Sequence, residues 1–328
     1  GALRLGVLAR PASPLKTHRE PIAYLGGIAV YLTFILTLSF VIEFRGELLG
    51  LLLGSTIIVM LGLFDDLKAI SPGAKLLGQL LAAWVTLRSG ITIELVALPI
   101  AVALPLSVFW IIGVSNAFNI IDVSDGLASA TGATAALWFA VIATFYGDVA
   151  IGTACCALAG ACFGVLRLNW PSASIYLGDA GSLFIGFLLA CIALIGSYTV
   201  NNVFAAVAPV MILTVPILDT ALVSMARLAK GMSPMNGSDD HFAIRLKAAG
   251  WSAAQVATAA IITTNLGGVA ALVAIEASAD IAAFVVVGYA TACLVGLMVL
   301  YFAFPTPSAM RRTEFPEPIP QAAESAQK

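Results

Sequence analysis

The chain has 328 residues, 60% of them hydrophobic and only 10% charged, with a formal net charge of −2 and a mean hydropathy of +1.01. Soluble domains carry about a quarter charged residues, so this composition excludes a soluble globular protein and points to a polytopic membrane protein. With 16 Lys and Arg against 18 Asp and Glu, nothing suggests a nucleic-acid partner.

The opening stretch GALRLGVLARPASPLKTHRE is neither a charged leader followed by an apolar core nor a spanning helix, so no signal peptide is expected. A span needs about 20 mainly apolar residues. Such runs predict spans near Gly26 to Ile42, Leu48 to Phe64, Lys75 to Leu87, Val96 to Ala117 and Leu127 to Tyr146. They continue at Val149 to Leu166, Leu183 to Tyr198, Val203 to Leu228, Ala253 to Glu276 and Ile281 to Phe304. The third is short, and Pro105 is placed to break the fourth. The expected fold is all-α, a polytopic transmembrane helix bundle of about ten spans. Residues 1–305 form one membrane domain, and 306–328, rich in Pro, Glu and Gln, form a disordered tail. The five cysteines (Cys155, Cys156, Cys162, Cys191, Cys293) lie in apolar runs without metal-ligand spacing and read as packing residues.

Ten spans place both termini and the even-numbered connections on one side. That side holds Arg4, Arg10, Lys16, Arg19, Lys68, Lys75, Arg167, Arg227, Lys230, Arg245, Lys247, Arg311, Arg312 and Lys328, against Arg45 and Arg88 on the other. The positive-inside rule makes the basic side cytoplasmic. The unusual polar stretches, FDDLKAISPGAK, NAFNIIDVSDG, RLNWPSASIYLGDAGS and RLAKGMSPMNGSDDHFAIRLKAAGW, all fall there, as a site assembled from distant loops would.

Asp65 and Asp66 close the second span, while Ser71 and Pro72 read as N-cap and first turn of the next helix, with Lys75 and Gln79 on one face. A lone acidic pair could equally mark a membrane boundary. Asn116, Asn119, Asp122 and Asp125 recur every third residue and cannot share one face of an α-helix unless its end unwinds near Gly126. Four such oxygen donors beside a membrane helix point to a ligand, and carboxylates with amides suit Mg²⁺, Mn²⁺ being the substitute. In IYLGDAGS, Gly178 and Gly181 bracket Asp179 at the expected start of a helix, an arrangement able to hold an anion and a cation bridging it. In DDHFAIRLK, a helix would present His241 and Arg245 together for phosphate binding; a solvated basic loop explains the charges but not the histidine. His18 stays outside the site, and Asp219, in VPILDTALV, has no assigned role. Together these residues fit metal-assisted phosphoryl transfer between a soluble and a lipidic phosphate.

The stretches RPASPLKTHREPIAYLGGIAVYL, FDDLKAISPGAKLLGQ, NAFNIIDVSDGLA, IYLGDAGSLFIGFLLA, PILDTALVSMARLAKGMSP and DHFAIRL occur in this order along nearly the whole chain. In them the sequence resembles the polyprenyl-phosphate N-acetylhexosamine-1-phosphate transferases, the MraY/WecA/TagO-like family. The resemblance implies that a UDP-N-acetylhexosamine meets a polyprenyl phosphate in a bacterial inner (plasma) membrane, giving UMP and a polyprenyl-diphosphate sugar. It implies Asp179 as a Mg²⁺ ligand with Asn119 as a second, Asp65 and Asp66 as an essential acidic pair, and Lys75 as a phosphate contact. Asp122 and Asp125 would serve the nucleotide end and the reaction centre, Tyr176 would stack on uracil, and His241 with Arg245 would hold the diphosphate or sugar; Asn116 joins the substrate-binding set, and a homodimer is left open. Members of the family usually carry a further span before Leu5. Val123 stands where Gly is frequent, and His241 is alone where many members have two or three histidines, which favours a WecA-like primer enzyme over the phospho-MurNAc-pentapeptide transferase alternative.

Two other classes compete. An ion-coupled transporter would also carry membrane carboxylates, but near the midplane and within repeats. DVSDG also opens the pattern of CDP-alcohol phosphotransferases, whose later Ala-Arg pair and aspartates are missing from LASATGATAALW.

Overall fold

The computed structural model describes residues 8–9, 22–23, 25–41, 46–94, 98–232, 239–304 and 306. The whole RPASPLKTHREP stretch, His18 included, and the tail beyond residue 306 lie outside the described residues. Two short strands, β1 (Leu8–Ala9) and β2 (Ile22–Ala23), pair antiparallel; the rest is helical. The helices are α1 (Gly26–Ser39), α2 (Glu47–Leu67), α3 (Pro72–Arg88), α4 (Ile100–Ile121), α5 (Leu127–Phe145), α6 (Val149–Asn169) and α7 (Gly178–Ile195). A 3₁₀ turn (Val203–Val207) leads into α8 (Ala208–Ile212), α9 (Thr214–Ala229), α10 (Phe242–Ala248), α11 (Ala253–Glu276) and α12 (Ala279–Ala303).

Every predicted span has a helical counterpart, but the count of about ten is not reached by length and hydropathy. Among the described residues 7 helices are long and apolar enough to cross a membrane, and the 3₁₀–α8–α9 pair makes an eighth if counted as one span. The 14 residues of α1 and 17 of α3 rise roughly 21 and 25 Å, short of a hydrocarbon core of about 30 Å. Pro105 does not break α4, which runs through it. The break comes in the eighth segment, bent by 77° between residues 212 and 214. Pro216 explains it, because its ring nitrogen has no N–H to donate to the carbonyl of Ile212.

Helix α7 is the hub, packed against α1, α2, α4 and α5, and 83% of its apolar stretch is buried. Its aromatic Phe184 meets Tyr31 and Phe34 edge-on at centroid distances of 5.4 and 5.6 Å. Helix α2 approaches its N-terminal turn so closely that a Cβ on Gly62 would lie 2.5 Å from Ala180. At the other extreme, α12 buries only Ala282 and Leu297. Cys155, Cys162 and Cys191 are buried and unbridged, as packing residues should be.

Candidate active site

The C-terminal ends of α2 and α4 and the N-terminal ends of α3, α5 and α7 come together at one end of the bundle. Ser71 caps α3 as its sequence predicts, accepting from the Ala74 N–H at 3.3 Å with Pro72 in the first turn. That cap aims Lys75 across the gap, where its ammonium donates to Asp65 at 2.9 Å, to Asp179 at 2.5 Å and to the amide oxygen of Asn119 at 3.3 Å. Asn119 in turn donates through Nδ2 to Asp179 Oδ1 and to Ser182 Oγ, both at 3.0 Å. Four helices thus meet at one ammonium, and residues 104 positions apart in the chain form an ion pair.

Asp66 has a different task. Its two oxygens accept the backbone N–H groups of Asp179 at 2.9 Å and Ala180 at 3.1 Å, so it caps α7. Two of the N–H groups that could hold an anion at this N-terminus are thus taken by the protein's own carboxylate. Gly178 stands at φ +72°, and a Cβ there would also lie 2.7 Å from Asp66 Oδ2, so glycine alone suits the turn. Helix α7 starts at Gly178 rather than near Leu183, which puts Asp179 in its first turn.

The Asn116-to-Asp125 series divides as its threefold spacing demands. Helix α4 continues to Ile121, so Asn116 and Asn119 occupy its last turns and face different partners. Asn116 and Gln79 exchange amide hydrogen bonds, both at 3.1 Å. Asp122 follows the helix, and Gly126 at φ +74° starts α5. Asp125 accepts from the Ala173 N–H at 3.1 Å and so fixes the loop that carries Tyr176. The half-buried Tyr176 accepts the Gly26 N–H through its carbonyl at 3.0 Å. Asp122 is partly buried, and burial, then the carboxylates of Asp179, Asp66 and Asp125, push its pKa up to about 8.

The fourth loop separates His241 from Arg245. His241 lies just ahead of α10, its Nδ1 2.9 Å from Asp219 Oδ2, while the other oxygen of Asp219 accepts the Phe242 N–H at 2.7 Å. Asp219, left without a role by the sequence, therefore orients the imidazole and leaves Nε2 for another partner. Arg245 points away and does not join a phosphate-binding pair with His241. Its Nη1 donates to the carbonyls of Leu300, Tyr301 and Phe304 at 3.3, 3.1 and 2.8 Å, and its Nε to the Asp240 carbonyl at 3.0 Å. A guanidinium at a helix C-terminus is well matched to unpaired carbonyls. Instead, Lys247 links this loop to the acidic turn, donating to Ser124 Oγ at 3.3 Å.

Asn169 also went unmarked in the sequence. Buried at the end of α6, its amide oxygen accepts from the Gly126 N–H at 3.1 Å and Ser129 Oγ at 2.9 Å, and its Nδ2 donates to the Ile175 carbonyl at 2.9 Å. It ties the acidic turn to the Tyr176 loop. Only a polar residue ending an apolar run could have drawn attention to it.

Residues 48–197 match the model of glycosyl transferase family 4. A Bacillus subtilis protein named "Probable undecaprenyl-phosphate N-acetylglucosaminyl 1-phosphate transferase" is 31% identical over 261 residues, 76% of this chain and 72% of that protein. The chain belongs to glycosyl transferase family 4. Another relative, the decaprenyl-phosphate N-acetylglucosaminephosphotransferase of Mycolicibacterium smegmatis, is 28% identical over 76% of this chain and 71% of its own length. A phospho-N-acetylmuramoyl-pentapeptide-transferase of Halalkalibacterium halodurans is 34% identical over 58% of this chain and 66% of its own. Within this family 4 chain the matched region runs from α2 to just past α7, so it contains the whole Lys75 cluster, whereas His241 and Arg245 lie beyond it.

The donor chemistry fits a divalent cation of the hard, oxygen-preferring type. Asp65 and Asp179 both accept from Lys75, and beside them Asp122 has its pKa raised first by burial and then by the carboxylates of Asp179, Asp66 and Asp125. Among the described residues no cluster of three or more Asp, Glu, His or Cys forms a ready cage. Mg²⁺ needs none, since it keeps waters and substrate phosphates with one or two carboxylates.

Proposed function

We propose that this protein transfers N-acetylhexosamine 1-phosphate, in particular GlcNAc 1-phosphate, from a UDP-sugar to a polyprenyl phosphate, releasing UMP. The product would be a polyprenyl-diphosphate sugar, the first membrane intermediate of a cell-envelope glycan. The observation that carries the reading is the convergence of Asp65, Lys75, Asn119 and Asp179 from four helices at the end of an apolar bundle. The names of the two relatives with the broader coverage support the GlcNAc donor.

Two anions must approach each other in this reaction, and electrostatic screening addresses the main barrier. Asp179 and Asn119 would hold Mg²⁺, which would supply charge to offset the diphosphate, once Lys75 turns from their oxygens toward the substrate. Lys75 then supplies a positive charge beside it. The lipid phosphate has a second pKa near 6 and is mostly dianionic at neutral pH, so no strong base is required. Both oxygens of Asp66 are occupied by α7 N–H groups, which leaves Asp122 to orient the attacking phosphate for in-line displacement. Asp125 and Tyr176 would frame the uridine end, and His241 would present Nε2 to the diphosphate or sugar.

The charged residues support a cytoplasmic site in the bacterial plasma membrane. Lys68, Lys75, Arg167, Lys230, Arg245 and Lys247 gather at the site end, and Arg88 ends α3 at the opposite side. Purified protein incubated with Mg²⁺, undecaprenyl phosphate and a panel of UDP-sugars should release UMP with UDP-GlcNAc. Release only with UDP-MurNAc-pentapeptide would replace the reading with the MraY-type one. Transport of substrate into sealed vesicles without UMP release would replace it with a carrier.

A further inference from the structure

We propose that Arg245 is a positioning residue that couples the last helix, α12, to the His241 loop. The inference rests on the assignment of His241 to the reaction. Arg245 is buried, and its guanidinium is spent entirely on protein groups. One edge caps three carbonyls at the end of α12, and the other holds Asp240 through its backbone carbonyl at 3.0 Å and its carboxylate at 3.2 Å. The plane also lies over the Tyr301 ring, 5.5 Å from its centroid. Asp240 is wholly buried, takes a second cation from Lys230 at 2.7 Å to both oxygens, and immediately precedes His241.

The His241 loop is therefore gripped from two sides. Asp219 on α9 fixes the ring and the first N–H of α10, while Arg245 ties the preceding residue to α12. This matters because α12 buries so little of itself against the bundle. Mid-helix, Tyr289 donates to Thr214 Oγ1 at 3.0 Å, and at the C-terminal end the fork of Arg245 on three carbonyls sets where that end sits. The same fork holds the backbone on which His241 stands. Movement of the α12 end thus moves a residue of the reaction without touching substrate.

A Lys could supply positive charge at this position but not the planar fork. The test uses the full-length protein in lipid nanodiscs, with UMP release and amide hydrogen exchange measured for R245A, R245K, Y301A and H241A. In R245A, kcat should fall about tenfold or more, as expected for loss of hydrogen bonds to a charged group, with KM for the UDP-sugar within about twofold. Exchange should quicken about tenfold both at residues 242–248 and at 300–304. R245K should be no better than R245A, and Y301A should move the same two segments less. A raised KM at unchanged kcat, rescue by Lys, or unchanged exchange at 300–304 would overturn the coupling and return Arg245 to direct phosphate binding. If R245A fails to fold, the kinetics and exchange of R245K and Y301A decide. Wild-type kcat in H241A would remove His241 from the reaction, while exchange at 300–304 would still judge the clamp by itself.

Discussion

The two halves of the candidate site are mounted on opposite kinds of support. The Lys75–Asp179 half stands on α7, the most buried helix of the bundle, with α2 and α4 pressed against it. The His241 half hangs between α9, which follows a sharp bend, and α12, which fully buries only Ala282 and Leu297. Packed interiors resist displacement because shifting one side chain disturbs many neighbours. The first half is therefore suited to fixed electrostatics, and the second to contacts that form around a bound sugar diphosphate. Damage to the first half should abolish chemistry, whereas damage to the second should grade it.

The largest effect is expected at Asp179. D179N keeps the shape but removes a carboxylate from the proposed cation site, and UMP release should fall by roughly 10²–10³-fold, the scale of losing one preorganised electrostatic group. Retention of more than a tenth of the activity would break the contrast between the two halves. Next comes K75M, which strands Asp65 and Asp179 without their ammonium. Removing one partner of a buried pair costs about 3–5 kcal/mol; partial exposure of Lys75 at 17% and Asp179 at 33% brings this to roughly 1–2 kcal/mol. A lowered melting midpoint together with loss of activity is the expected result.

D66A should be milder in activity and clear in stability. Loss of a helix cap costs about 0.5–2 kcal/mol, so the midpoint should drop by a few degrees. Activity should fall less than in D179N, because Asp66 acts by placing Asp179. Equal losses in the two variants would make Asp66 a reacting group instead. The smallest effect on stability concerns Asp122. Its folded pKa of about 8 lies above the ordinary 3.8, so in metal-free protein its contribution makes stability decline as pH rises between about 4 and about 8. D122N should flatten that part of the melting profile. An unchanged profile would mean that Asp122 is neither desolvated nor crowded by its neighbouring carboxylates in the folded protein.

Apolar run lengths sufficed to locate most helices, and Ser71 with Pro72 marked the start of α3 correctly. The bend beyond Ile212 was hidden because the residues on both sides of it are equally apolar, leaving Pro216 as the only signal. In the site, residue types were legible but tasks were not. Asp66 reads as half of an acidic pair until its partners, 113 and 114 positions away, are known. From sequence, Arg245 stands with His241, because four residues make about one helical turn. But α10 begins only at Phe242, and the carbonyls that claim Arg245 lie 55 to 59 positions further on. Asp219 was opaque for the same reason, since its histidine is 22 positions away. Local pattern reports which elements form; only tertiary pairing tells a cap from a ligand.

The most direct test replaces Mg²⁺ with Mn²⁺ and records pulsed electron–nuclear spectra of the protein with bound UDP-GlcNAc. Wild type should show phosphorus couplings from the diphosphate to a bound Mn²⁺, and D179N should lose them while retaining its fold. Identical couplings in D179N, or a bound metal with no phosphorus near it, would contradict a cation held by α7 against the sugar diphosphate.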